Sequence, residues 1–435
     1  MAEFRKKNTP YTSASWLLSE KFLAIFLNVF ITLALARHLL PEGFGALNYV
    51  TSLVSLISPL LALGLNSIVT RELLQRPKHN HQIMGSALAL RALSAICVCP
   101  VAIWVGSVYL AEGQSILFAV LMLASMSNST QVVEFWLQAH VANRFASIIR
   151  LTSLSLFSIA RLVAIELNAT LEIFVYLAAL EMIFLSVLYL LLYHRLSGGL
   201  SKLRASGLES KRLLMDSRWL LISGVAAVIY LKVDQVMLGL MIDDRAVGIY
   251  AAASRLSEVW YFIPTAIVVS FFPKLIKQRE ASPASYGLQL QKINDFLLFV
   301  GISVALIVTL LSGEMVLLFG EAYLASVSVL VVHIWGGLFV FMRALLSKWL
   351  IAENLLKLSM FSQILGALFN IVLNITLIPD YGPVGAAYAT VISHIVAGYL
   401  VLFCHRKLWP MAMVVTKSIL LPIRLARKGF GLYKP

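Results

Sequence analysis

The feature that most limits what this 435-residue chain can become is a succession of long apolar runs parted by short polar breaks. Each run is close to the roughly 20 residues that a helix needs to cross a bilayer. Hydropathy predicts twelve spans, at 12–36, 45–69, 83–110, 115–138, 147–165, 171–193, 215–240, 249–272, 291–312, 324–350, 357–378 and 384–404. Turn residues mark the breaks: Pro41 with Gly43 and Gly45, Gly113, Gly248, Gly320, and the run Pro379-Asp380-Tyr381-Gly382-Pro383. Composition agrees: 60% of residues are hydrophobic and 13% charged, against about 45–50% and about 25% in soluble domains. The expectation is an all-α polytopic membrane protein. The first run is too long and irregular for a signal peptide and no A-x-A site follows it, so it reads as a helix that stays.

The net charge of +14 would suggest nucleic acid in a soluble protein. Here its position matters more. With residues near a span's end counted in the adjoining break, 27 of the 35 Lys and Arg fall in the two tails and the even-numbered breaks. Only Arg37 and Arg245 fall on the other side, and six lie within spans. Such asymmetry is the positive-inside pattern of a chain threaded twelve times, with both termini cytoplasmic. No nucleic-acid partner is implied; the partner of the basic flanks is membrane lipid.

The longest break divides the chain into an N-terminal six-helix lobe (1–195), a basic cytoplasmic linker (196–217) and a C-terminal six-helix lobe (218–405). Sliding residues 16–45 forward by 203 lays Trp16 on Trp219, Leu17 and Leu18 on Leu220 and Leu221, and Gly45 on Gly248, as a parallel repeat would. The tail, 406–435, intersperses Lys417, Arg424, Arg427 and Lys428 among apolar residues, and reads as an interfacial helix or a disordered basic segment. Cys97, Cys99 and Cys404 lie in or at the end of apolar runs without metal-site spacing, so they read as core thiols, with no metal implied.

Charge at bilayer depth normally faces a bundle interior or a wet cavity. Glu20 and Lys21 share helix 1 with Asn28 and Thr32, where Glu20, Asn28 and Thr32 recur at multiples of four. Helix 7 carries Lys232, Asp234 and Gln235; Lys232 and Gln235 share a face and Asp234 points elsewhere. Arg91, Glu134, Glu181 and Arg343 are further charges within spans, and Gln363, Asn370 and Asn374 form a stripe on helix 11. Each has a plainer role. Arg255 and Glu258, three apart, can neutralise each other. Arg161, Glu134 and Asp295 lie near helix ends and can snorkel. Asn stripes often only join helices. The functional reading is a central hydrated cavity between the lobes. Lys21, Arg91, Lys232, Arg255 and Arg343 would meet an anionic diphosphate there, beside Asn28, Gln235, Asn370 and Asn374. Glu20, Asp234 and Glu258 are candidates for binding a coupling H⁺ or Na⁺; no other cofactor is implied.

Three stretches resemble a known family. They are Ala36-Arg37-His38-Leu39-Leu40-Pro41-Glu42-Gly43-Phe44-Gly45, then Asp234-Gln235-Val236-Met237-Leu238 with Val247-Gly248-Ile249-Tyr250-Ala251-Ala252-Ala253 and Arg255-Leu256. The third is Asn370-Ile371-Val372-Leu373-Asn374 followed by Ile378-Pro379-Asp380-Tyr381-Gly382-Pro383-Val384-Gly385-Ala386-Ala387-Tyr388-Ala389-Thr390. In this order and register the chain resembles the Wzx-type O-antigen flippases of the multidrug/oligosaccharidyl-lipid/polysaccharide exporter superfamily. The resemblance implies two six-helix lobes around a central cavity, and alternating access. Its implied substrate is an undecaprenyl-diphosphate-linked oligosaccharide, moved from the cytoplasmic to the periplasmic leaflet of a bacterial inner membrane. A polysaccharide polymerase and a chain-length regulator are implied partners. The chain departs from the fourteen-helix lipid II flippases, since nothing beyond Cys404 spans twice more.

Two other classes compete. A cation-coupled multidrug exporter of the same fold would favour an acidic cavity, whereas the buried charge here is mixed. A membrane-embedded polysaccharide-modifying enzyme needs catalytic residues gathered on a sizeable loop, and the loops on that side are short. No H-E-x-x-H, G-x-S-x-G, P-loop or dinucleotide signature occurs. His38, His194, His333 and His394 are scattered and read as structural, and Asn128 and Asn168 as chance sequons.

Overall fold

In bilayer hydrocarbon every backbone N–H and C=O must be bonded within the protein, and consecutive apolar runs meet that condition as helices. A computed structural model of the chain describes residues 10–421, 423 and 424, and every regular element among them is helical. The α-helices are α1 Pro10–Ala62, α2 Leu65–Gln75, α3 Asn80–Tyr109, α4 Glu112–Ser125, α5 Val132–Ala139, α6 Asn143–Glu166 and α7 Leu171–Ser197. They continue with α8 Gly207–Met241, α9 Asp244–Glu258, α10 Phe262–Ala281, α11 Pro283–Leu310, α12 Ser312–Leu317, α13 Ser326–Ala352, α14 Leu356–Gly398 and α15 Trp409–Ile419.

Among the described residues, nine helical stretches are long and apolar enough to cross a membrane. Two of these, Glu20–Gln75 and Leu356–Phe403, run for 56 and 48 residues. A straight helix of the first length would reach about 84 Å, far beyond about 30 Å of hydrocarbon. Both bend instead. Leu40 leaves helical geometry (φ 57°, ψ 174°) just before Pro41, whose ring and missing N–H disfavour a continuous turn. Gly382 does the same (φ 56°, ψ −136°) between Pro379 and Pro383, in a region that suits a residue without Cβ. Residues 249–272, read as one span, lie on α9, a 3₁₀ turn at Val259–Tyr261 and α10. The spans read from the sequence thus fall mostly on helix, 45–69 across a turn at Leu63–Gly64 and 384–404 past the end of α14, and nine stretches rather than twelve satisfy the length and hydropathy limits.

By contacts the chain divides into two compact units, Met1–Lys232 and Val233–Pro435. The core of unit 1 gathers Leu65, Val69, Ile83, Met84, Leu137 and Tyr193, among others. That of unit 2 gathers Leu297, Leu345, Leu346, Val401, Met411 and Val415. Large apolar side chains such as Phe26, Trp104, Tyr109 and Leu310 stay exposed, which suits a lipid-facing surface.

The stretch read as a linker, 196–217, is docked on unit 1. Gly198 closes α7 in the left-handed region (φ 82°). The Ser206 N–H donates to Ser86 Oγ at 3.0 Å. Gly85 lets the Arg204 backbone approach so closely that a Cβ there would lie 2.5 Å from its carbonyl oxygen. From Gly207 the chain is helical, and ion pairs tie these first turns of α8 to α2. Glu72, only 1% exposed, takes Arg71, Arg76 and Arg212; Arg71 also reaches Asp216 at 2.7 Å, and Arg76 pairs with Glu209. Charge-assisted contacts of this density explain why the change of unit falls inside α8. Beyond the last span, α15 packs Met411, Ala412 and Val415 into the core of unit 2. The Ser418 hydroxyl donates to Asp295 Oδ1 at 2.6 Å. Residues 425–435, with Arg427 and Lys428, lie outside the described residues, as do 1–9.

Candidate functional site

Each unit buries one polar cluster, and the two differ in kind. In unit 1, α1 carries Glu20 inward (7% exposed) against the first turns of α6. Ser147 Oγ donates to Glu20 Oε2 at 2.6 Å, and Arg150 donates through Nε to Oε1 at 2.7 Å and through Nη2 to Oε2 at 2.5 Å. The remaining terminal nitrogen of Arg150 donates to Glu134 Oε1 at 2.6 Å, and the Tyr189 hydroxyl to Glu134 Oε2 at 3.3 Å. One guanidinium therefore serves two carboxylates from different helices. Beside them is a cavity of about 230 Å³ lined by Glu20, Arg150, Ser153 and Glu181. Arg161 closes on Glu181 at 2.5 Å. Arg161 and Glu134, read as snorkelling, are thus internally paired instead.

Arg91 is the anomaly of unit 1. It is 3% exposed, its Cζ lies 6.0 Å from the Phe135 ring centroid, and its Nε and Nη1 have no hydrogen-bond partner. Burying a charge without full pairing is costly, and apolar replacement of such groups is often neutral or stabilising by about 1–4 kcal/mol. Arg91→Met is therefore expected to leave thermal stability in detergent unchanged or raised. A clear fall in melting temperature would mean that the guanidinium is structurally required.

In unit 2 the cluster centres on Asp234, 3% exposed near the end of α8. Asp234 Oδ1 accepts from Asn374 Nδ2 at 2.6 Å. Oδ2 accepts from Thr390 Oγ1 at 2.7 Å and from the Tyr250 hydroxyl at 2.8 Å. Asn374 Nδ2 also reaches Asn370 Oδ1 at 3.1 Å. Asn370 Nδ2 and Asn374 Oδ1 remain unbonded although both residues are fully buried. The bends locate this cluster. The α9 helix starts on an Asp243 cap accepting from Ala246 N at 2.7 Å, which sets Tyr250. The break at Gly382 returns α14 so that Thr390 and Asn374, on either side of it, meet one carboxylate. Among the described residues no Lys or Arg forms an ion pair with Asp234. All its donors are neutral.

The other residues singled out from the sequence scatter. Lys21 and Asn28 are exposed, and the Asn28 amide only bonds back to Ala24 O at 2.7 Å, so the polar stripe of helix 1 divides between two environments. Lys232 is half-buried, and Gln235 is as buried as Asp234, so these two do not segregate as their spacing predicts. Arg343 donates to Ala397 O at 2.7 Å and Ser362 Oγ at 3.3 Å, pinning α13 to α14. Arg255 is exposed and Glu258 half-buried, with no ion pair between them. Beside Glu258 in the chain, Ser257 Oγ lies 2.9 Å from His333 Nδ1. Sequence reasoning missed Arg150, Ser147, Tyr189, Tyr250 and Thr390.

Comparison with known proteins gives three findings. A family described as polysaccharide biosynthesis protein matches residues 11–279. Two proteins of Haloferax volcanii align with the chain. The probable flippase AglR is 31% identical over 177 residues, 38% of this chain and 35% of that protein. The probable low-salt glycan biosynthesis flippase Agl15 is 24% identical over 211 residues, 46% and 43% respectively. The chain thus spans less than half the length of these relatives. Among solved structures, the lipid II flippase MurJ in an inward-closed conformation superposes with a TM-score of 0.69. That likeness covers 94% of this chain and 92% of that one at 16% identity, so what is shared is the fold.

Proposed function

Because the chain belongs to the polysaccharide biosynthesis protein family, we propose that it is a flippase for polyprenyl-diphosphate-linked oligosaccharides. In a bacterium these would be undecaprenyl-diphosphate-linked repeat units of O-antigen or a related polysaccharide, delivered to the periplasmic leaflet of the inner membrane. The observation that carries the reading is the alignment of this chain with two flippases, one of them of glycan biosynthesis. Physical need supports it: a diphosphate with sugars cannot cross hydrocarbon unaided. Alternating access shields that headgroup while the polyprenyl tail stays in lipid, and no covalent bond is made or broken. Both termini are cytoplasmic in this reading, and a polymerase with its chain-length regulator takes the product.

Coupling is assigned to Asp234. A buried carboxylate with neutral donors and no Lys or Arg ion pair among the described residues is where a proton or a small cation can be taken up. The unused Asn374 Oδ1 and the hydroxyl oxygens of Tyr250 and Thr390 are the ligand type that Na⁺ accepts. Glu20 is the weaker candidate because Arg150 already balances it, and Glu258 lacks a donor set of this kind. Substrate contacts are proposed for Lys21, Arg91, Lys232 and Arg255, with Asn28 and Gln235, whereas Arg343 is held between α13 and α14 and Asn370 and Asn374 serve Asp234.

Deleting the gene should deplete surface glycan and accumulate lipid-linked oligosaccharide on the cytoplasmic side, with drug susceptibility unchanged. Intact surface glycan with altered drug susceptibility would replace this reading by a multidrug exporter.

A further inference from the structure

At one end of unit 2 the start of α11, the last turn of α13 and the start of α15 frame a cavity of about 530 Å³. Its polar lining is Tyr286, Glu353 and Lys407; Leu290, Trp349 and Val414 supply much of the apolar wall. The hydropathy spans begin at 291 on α11 and end at 350 on α13 and at 404 before α15, next to the residues that line the cavity. The cavity therefore lies where hydrocarbon gives way to headgroups. Trp349, 5% exposed, is the amphipathic ring type enriched at that level.

Its charges define what fits. Glu353 accepts from Arg279 at 2.9 Å and from the Tyr286 hydroxyl at 3.3 Å. Arg279 Nη2 also donates to Glu353 Oε2 at 3.1 Å, so the pair is two-pronged, with the Arg279 side chain 42% exposed to solvent. Lys407 is exposed and makes no ion pair among the described residues. One free ammonium and one partly solvent-exposed carboxylate on the same cavity suit a ligand carrying both signs. A singly or doubly anionic headgroup would meet Glu353 unfavourably, and only one basic side chain lines the cavity. A quaternary ammonium has no N–H to donate to the carboxylate or the phenol oxygen.

We propose that this cavity is a binding site for the headgroup of a zwitterionic aminophospholipid. Its phosphate lies on Lys407, its primary ammonium on Glu353 and Tyr286, and its glycerol and upper acyl carbons lie against Trp349 and Leu290. The bound lipid joins α15 to α11 and α13. They already share a core and the Ser418 contacts to Gln291 (2.9 Å) and Asn294 (2.9 Å). The site is independent of what the protein transports.

Delipidated full-length protein, titrated in detergent with phosphatidylethanolamine, phosphatidylcholine or phosphatidylglycerol and read by native mass spectrometry, tests this. Phosphatidylethanolamine should bind about tenfold more tightly than either other lipid, the scale of one charge-assisted contact. Glu353→Gln should abolish its advantage over phosphatidylcholine, whereas Lys407→Ala should weaken both. Circular dichroism confirms that each variant is folded; should one not be, Tyr286→Phe, which removes the phenol alone, must still reduce the advantage. Tighter binding of phosphatidylglycerol, equal binding of all three lipids, or a preference untouched by the substitutions would overturn the proposal.

Discussion

Replacing Arg150 with methionine is expected to cost about 3–5 kcal/mol of stability, the range for stranding a buried charge by removing its partner. Its side chain is 24% exposed and holds Glu20, whose own side chain is 9% exposed, together with Glu134. Without the guanidinium, Glu20 keeps only the Ser147 hydroxyl. Both carboxylates then face each other across the space left. The expected escape is protonation of Glu20, so Arg150→Met combined with Glu20→Gln should recover much of the loss. Reversible unfolding in mixed detergent micelles measures both. A change within about 1 kcal/mol for the single variant, the size of an ordinary surface substitution, would show that the two carboxylates do not depend on Arg150.

Asp234→Asn should have the largest effect on transport. The carboxylate takes donors on both oxygens: Asn374 on Oδ1, and Thr390 and Tyr250 on Oδ2. An amide placed in either orientation sets its NH₂ against one of those donors. The hydroxyls can turn and the Asn374 amide can flip, so the stability cost stays near about 1–3 kcal/mol. The charge, however, is gone, and with it the group to which we assign the coupling ion. Transport driven by an ion gradient should fall about tenfold or more, the scale of one coupling interaction of about 1–3 kcal/mol. The residual rate should no longer respond to H⁺ or Na⁺. Wild-type dependence on the gradient in Asp234→Asn would remove Asp234 from coupling.

Why some of this was legible in the sequence and some was not follows from the physics of each part. Apolar runs near bilayer thickness force helices regardless of their neighbours, so fold class was readable from periods and lengths alone. Pro41 and the Pro379–Pro383 run marked the non-helical breaks inside α1 and α14 because ring sterics act locally. The Asn370 and Asn374 stripe was visible as well, but its partner Asp234 lies 140 positions from Asn374 and no local pattern joins them. Arg150 was overlooked because it stands at the start of a span, where a basic residue passes for a cytoplasmic flank. Its partner Glu20 is 130 positions away. Thr390 and Tyr250 lay within the family-like stretches but carried no sign of a site role, since hydroxyls are ordinary inside membrane helices until a buried carboxylate is found next to them. Arg255 and Glu258 show the reverse error: correct helical spacing made a pair that the fold does not form.

The central claim is that this chain carries a diphosphate-linked glycan between leaflets. Its most direct test is purified protein in liposomes whose inner and outer leaflets both contain a fluorescent polyprenyl-diphosphate oligosaccharide. A membrane-impermeant glycosidase then cleaves whatever glycan reaches the outside. With the protein present, cleavage should continue beyond the half that starts outside until nearly all the labelled lipid is consumed. Cleavage that halts at the outer-leaflet half, as in protein-free liposomes, with and without H⁺ and Na⁺ gradients, would contradict the claim.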